Sequence, residues 1–154
     1  MNKLRIYGAG GWFSPEQEEE HTRILGLMEQ HFDVYNPRKE GEVTSTSSAD
    51  FMTQCLLGNI AGIKTADVVV VIYDYKDTGT IWEAGFASAC KKPIIYYAEK
   101  LNGKKFNLML AKTGFFASDE KELLRLLNLL SDIKDLYEYI PIKESYNNYK
   151  GEVE

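Results

Sequence analysis

Short apolar stretches alternate with polar stretches of helical character along most of the chain. Leu4 to Tyr7 reads as a first strand, closed by Gly8-Ala9-Gly10-Gly11. Ser14-Pro15-Glu16 then offers an N-cap, a proline at the first helical position and an acidic first turn, which predicts a helix to about His31. Asp33 to Tyr35 is a short second strand stopped by Asn36-Pro37, and the polar segment Lys39 to Ser48 predicts a long surface loop. A helix follows from near Ser48 or Ala49 toward Ile63. Val68 to Tyr73 is a continuous β-branched and aromatic run, the pattern of a strand covered on both faces and therefore of the sheet centre. After a loop over Asp74 to Gly79, a helix from about Thr80 to Cys90 and the turn Lys91-Lys92-Pro93 lead into a strand, Ile94 to Tyr97. Ser118-Asp119-Glu120 caps a last helix with an apolar stripe of Leu123, Leu124, Leu126, Leu127, Leu129 and Leu130, and Tyr139 to Ile142 offers an edge strand.

This alternation specifies an α/β domain over residues 1–154: a doubly wound, flavodoxin- or Rossmann-like sheet of about five mainly parallel strands with helices on both faces. Sheets of this kind bind ligands at the carboxyl ends of their strands. The loops of interest therefore follow Tyr7, Tyr35, Tyr73 and Tyr97.

Composition narrows the ligand. The formal net charge is −5, and no basic run exceeds a pair, which argues against duplex nucleic acid as a partner. Cys55 and Cys90 stand far apart without neighbouring ligand residues, so neither a CxxC redox pair nor a metal site is expected. The aliphatic run Val68 to Ile72 is too short to span a bilayer, and Met1 to Tyr7 lacks the apolar core of a signal peptide. Small ligands or protein partners remain, and the expectation is a cytoplasmic chain without cofactor.

The glycines Gly8, Gly10 and Gly11 permit either a close backbone approach to a ligand or simply a tight strand-to-helix turn; they do not spell GxGxxG. The stronger signal is Asp77-Thr78-Gly79-Thr80-Ile81-Trp82-Glu83-Ala84-Gly85, where two carboxylates six residues apart flank a turn and a helix start. A glutamate in a first helical turn is held ionised by the helix dipole, which suits a nucleophile and equally suits a residue that merely stabilises the helix. Spacing leaves both open.

At these residues the chain resembles the nucleoside 2-deoxyribosyltransferase family. Asp77, Gly79, Thr80, Glu83, Gly85, Ala87, Lys92 and Pro93 follow the family motif Asp-x-Gly-Thr-x-x-Glu-x-Gly-x-Ala with its later Lys-Pro. Ile6 to Phe13, Gly62 to Asp67, Asn107-Leu108-Met109 and the tail Tyr149 to Glu154 are similar to further family segments in the same order. The resemblance implies that Glu83 attacks C1′ of a 2′-deoxynucleoside and holds the sugar as an ester until a second free nucleobase takes it, with retention at C1′. It implies that Tyr7 orients Glu83, that Asp77 contacts base or sugar, and that Gly10, Trp12 and Phe13 line the base pocket. Asn107 and Met109 would come from a neighbouring subunit, in a homo-oligomer built as a hexamer of three dimers.

Two departures fall on the base side. Asn59 stands where the family often has an aspartate, and Gly41 falls near the place of a base-reading glutamine. An amide can hydrogen-bond but cannot donate a carboxylic proton. Two other readings remain open at this point. One is a nucleoside or nucleotide N-glycosidase, for which Arg38, Ser45, Ser47 and Ser48 could cradle a phosphate; the other is a non-catalytic nucleoside-binding module.

Overall fold

The computed structural model describes residues 3–133 and 149–154. Five strands, β1 (Arg5–Ala9), β2 (Asp33–Tyr35), β3 (Val68–Ile72), β4 (Ile94–Tyr97) and β5 (Phe115–Ala117), form one sheet in the order β2-β1-β3-β4-β5. Every pairing is parallel. The helices are α1 (Pro15–Glu29), α2 (Pro37–Glu40), α3 (Ala49–Thr65), α4 (Thr78–Ala89), α5 (Leu108–Ala111) and α6 (Glu120–Ile133). Among the described residues no helix is long and apolar enough to cross a membrane.

Strand β3 shows why the sheet is doubly wound. All five of its residues are buried, Val68, Val70 and Ile72 on one side and Val69 and Val71 on the other. The first set packs against Ile24, Leu25 and Met28 of α1 and the buried leucines of α6; the second lies under Ile63 of α3 and Ala84 and Ala87 of α4. Each such aliphatic side chain contributes about 1.5–3 kcal/mol relative to exposure, so both helical layers are fixed to the sheet by apolar burial.

The expected α/β architecture is the observed one, with three local differences and one expectation that the described residues do not reach. The edge strand next to β4 is β5, whose three residues sit between Gly114 and the Ser118-Asp119 cap and are too few to show a period. Tyr139 to Ile142 lies outside the described residues. Asn36-Pro37 ends β2 as expected but also starts α2, with Asn36 accepting from the Arg38 amide at 3.1 Å. Helix α4 begins at Thr78 because Asp77, in extended conformation, caps it by accepting from the Thr80 amide at 2.8 Å. That earlier start moves Glu83 to the sixth helical position, beyond the first turn.

Candidate active site

In this strand order the chain leaves β1 toward β2 on one side and returns to β3 on the other, so the topological switch lies between the carboxyl ends of β1 and β3. Tyr7 is the central residue of β1, two positions before its carboxyl end, in register with Tyr35 of β2 and Val69 of β3. Its ring stacks on Tyr35, with centroids 5.3 Å apart and planes 13° from parallel. Glu83 comes from α4, the helix that covers this face of the sheet, and is half-buried.

Burial pushes the Glu83 carboxyl up to about 7; the Tyr7 hydroxyl pulls it down, and the negative charge of Asp77 pushes it up further. Desolvation therefore outweighs the helix dipole expected from a first-turn position, which has faded at the sixth residue. At pH 7 about half of such a carboxyl is ionised. The Tyr7 phenol is held protonated by burial first and by the Glu83 charge next. Its hydroxyl is fully buried without a partner in hydrogen-bond geometry, yet it lies near enough to Glu83 for each group to shift the other. A donor waiting beside a carboxylate is the electrostatic arrangement that steadies a nucleophile in its charged form.

Tyr35 extends the site to α3. Its hydroxyl donates to Oδ1 of Asn59 at 3.4 Å, and both residues line a cavity of about 180 Å³ together with Glu40, Gly41, Gln54 and Cys55. A side chain at Gly41 would place its Cβ 3.1 Å from the Phe51 ring, so the glycine leaves this cavity its room. Of the expected residues, Tyr7, Asp77, Glu83 and Asn59 are thus brought together. Tyr35, Glu40 and Gln54 were not expected; for Tyr35 the one signal was its position at the carboxyl end of a strand adjoining the switch.

Other expected residues have structural duties. Gly10 faces Ile72 and His21, where a Cβ would sit 3.2 and 3.3 Å from their atoms, so it admits α1 against the sheet. Trp12 packs edge-on to His21 with centroids 5.4 Å apart, while Phe13 beside it is 69% exposed. Gln17 accepts from the Phe13 amide and donates to the Tyr75 carbonyl, tying the glycine loop to the β3–α4 loop. Asn107 caps α5 by accepting from the Met109 and Leu110 amides; Met109 is 68% exposed. No hydrogen bond or ion pair among the described residues joins Asn107 or Met109 to Glu83 within this chain. Of the four residues considered for a phosphate cradle, three are engaged elsewhere: Arg38 pairs with Glu18 and Glu42, Ser48 caps α3, and Ser47 accepts from the Thr44 amide.

A second buried ionisable group, Glu20, lies on α1. Glu20 is fully buried with neither carboxylate oxygen partnered, and is pushed up to about 7 by burial and by Asp74 and Glu99, against the opposing pull of Lys100 and Arg23. The unfolded chain ionises this group from about 4.5, so its stabilising share is intact below that pH and is lost as pH rises through about 7. Glu20→Gln is therefore expected to gain on the order of 2 kcal/mol at pH 8 and little at pH 4.5, read by urea denaturation at both pH values. An equal effect at both would show that ionisation is not the cause.

Comparison with known proteins decides the family. The profile described as nucleoside 2-deoxyribosyltransferase matches residues 6–133, most of the chain. The chain belongs to this family. Among solved structures, this family member is similar to the 2-deoxyribosyltransferase of Bacillus psychrosaccharolyticus at 25% identity and a TM-score of 0.67, covering 78% of this chain and 90% of that one. It is also similar to a CMP N-glycosidase of Clostridium botulinum, at 26% identity and a TM-score of 0.50, covering 81% and 98%. A conserved protein of Enterococcus faecalis shares the fold at 17% identity and a TM-score of 0.54, covering 99% and 91%. No curated protein matches. Family and relatives together mark this member as an enzyme acting on nucleosides, as a transferase or an N-glycosidase.

Proposed function

We propose that this family member is a nucleoside 2-deoxyribosyltransferase that moves 2-deoxyribose between nucleobases through an ester on Glu83. The observation that carries this reading is the half-buried Glu83 beside the buried hydroxyl of Tyr7, on the strand that borders the switch point of the sheet. Glu83 attacks C1′ as the bond to the base breaks, and the bonding pair leaves with the base. A second base then attacks C1′ and frees the carboxylate, so two inversions give retention. The base lies in the cavity bounded by Tyr35 and Asn59, whose volume of about 180 Å³ suits one heterocycle rather than a whole nucleoside. Trp12 and Phe13 do not line that cavity and stand as aromatics of the glycine loop available to the substrate from outside it, and Gly10 leaves the loop its close path. Asn59 hydrogen-bonds the base without protonating it, which leaves proton delivery to the Asp77 oxygen not used in the cap or to water. The reaction needs no cofactor, and free nucleosides and bases fit a cytoplasmic setting.

Exposed apolar side chains support assembly of several copies. Met52, Leu56 and Leu57 on α3 are 41, 49 and 58% exposed, and Trp82 on α4 is 50% exposed beside the nucleophile. Asn107 and Met109 then reach a neighbour's site from their exposed turn, in a hexamer of three dimers.

The similarity to a CMP N-glycosidase favours one second reading, hydrolysis of the same bond. The engagement of Arg38, Ser47 and Ser48 argues against a 5′-phosphate held by that loop. Incubation with deoxyinosine, with and without cytosine, separates the two. Deoxycytidine formed in step with hypoxanthine, and little hypoxanthine without acceptor, is the expected result. Equal release of hypoxanthine with and without cytosine would instead establish the hydrolase.

A further inference from the structure

The strongest unused feature is the seating of Tyr35. It belongs to a short strand at the sheet edge, yet its side chain is packed by two other elements. Its ring stacks on that of Tyr7 at 5.3 Å, nearly parallel. It also lies close to the backbone of α3, where a Cβ added at Gly58 would fall 3.2 Å from the hydroxyl and one added at Gly62 would fall 3.1 Å from the ring. Glycine within a helix costs about 1 kcal/mol relative to alanine, and two of them one turn apart are accounted for by the space this ring occupies. The hydroxyl then reaches Asn59 on the wall of the base cavity.

We propose that Tyr35 is a positioning residue that ties the base cavity to the nucleophile, its ring fixing Tyr7 against Glu83 and its hydroxyl fixing Asn59. The proposal rests on Glu83 being the nucleophile. The two functions are separable because they use different parts of one side chain. The ring limits Tyr7 to the rotamer in which its hydroxyl faces Glu83, so loss of the ring loosens the group that keeps Glu83 ionised. The hydroxyl holds the acceptor oxygen of Asn59, so its loss frees the amide to turn and blurs base recognition.

The ionisable groups around this chain of contacts are few. Glu83 is influenced by Tyr7 from β1 and by Asp77 from its own helix cap; Tyr35 is influenced by Glu83, by Glu40 of α2 and by Cys55 of α3. Apart from Tyr7, these charges stay in place when Tyr35 changes.

The test compares Tyr35→Phe with Tyr35→Leu in the full chain. For base exchange from deoxyinosine to cytosine, Tyr35→Phe should leave kcat and the acid limb of the pH profile in place while raising the KM for cytosine by roughly three- to tenfold. Tyr35→Leu should lower kcat by about tenfold and move the acid limb upward. Combined with Tyr7→Phe it should move the limb no further than Tyr7→Phe alone, since both act through one hydroxyl. The same comparison can be read without turnover, by following the Glu83 carboxyl with carbon NMR as pH is changed. That titration separates a failed proposal from a failed assignment of the activity: an inactive protein whose Glu83 titration still moves with Tyr35→Leu keeps the coupling and loses the reaction. Gly62→Ala probes the same contact from α3 if Tyr35→Leu does not fold, because its Cβ, 3.1 Å from the ring, makes the ring give by a few tenths of an ångström. A folded Tyr35→Leu or Gly62→Ala variant with an unmoved Glu83 titration would overturn the proposal.

Discussion

Glu83→Ala loses base exchange by roughly 10⁴-fold or more in kcat, as expected when a covalent nucleophile is removed from a site whose other parts act with it. Retention of exchange within tenfold of the original would sink the assignment. The isosteric Glu83→Gln adds a second readout, because the carboxyl sits at about 7 when folded against 4.5 when exposed. A group raised in this way gives its full stability below the unfolded value and loses it as pH rises through the folded one. Glu83→Gln should therefore melt higher than the parent at pH 8 and alongside it at pH 4.5. An inactive variant that is also more stable is the signature of a residue kept for chemistry at a cost to the fold; an inactive and less stable one would point to a structural glutamate.

Tyr7→Phe is expected to lower kcat/KM by about 10- to 100-fold at pH 6, the scale of one hydrogen bond to a charged group. Much of the loss should recover by pH 9. The sign follows from the hydroxyl, which pulls the Glu83 carboxyl down; without it the carboxyl rises above about 7 and less of it is ionised near neutrality. The profile should therefore shift its acid limb upward. Stability should be unchanged at pH 4.5, where Glu83 is protonated, and lower than the parent at pH 8, where the ionised carboxylate loses the hydroxyl that favours it. An acid limb that stays in place would remove Tyr7 from the mechanism.

These residues were legible in the sequence to different degrees. The framework could be read because each long element carries its own signal: the unbroken Val68 to Ile72 run, the Ser14-Pro15 start of α1 and the leucine stripe of α6. β5, α2 and α5 could not, being too short to show a period, whereas β2 and β4 are equally short and are marked by the Asn36-Pro37 stop and the Lys92-Pro93 turn beside them. Tyr7, Asp77 and Glu83 emerged from a motif, and the fold brings them together. The cap made by Asp77 was not anticipated; it sets the helix start two residues earlier and so carries Glu83 out of reach of the helix dipole. Asn107 is seen in the capping role that its residue type allows. Tyr35 stayed hidden because its importance depends on the pairing of β2 with β1 and on two glycines more than twenty residues away, neither of which a local pattern encodes.

The chain's two tryptophans fall at opposite sides of this arrangement. Trp12 stands in the glycine loop beside His21, whereas Trp82 precedes the nucleophile and lies half in solvent, stacked on Phe86 at 5.4 Å. On the proposed reading, the two side chains would report different events. Emission from Trp82 should shift to shorter wavelength as copies associate on dilution series run in reverse, while Trp12 should be quenched by an added nucleobase. Trp12→Phe and Trp82→Phe would assign each signal, allowing assembly and base binding to be followed in one cuvette without a label.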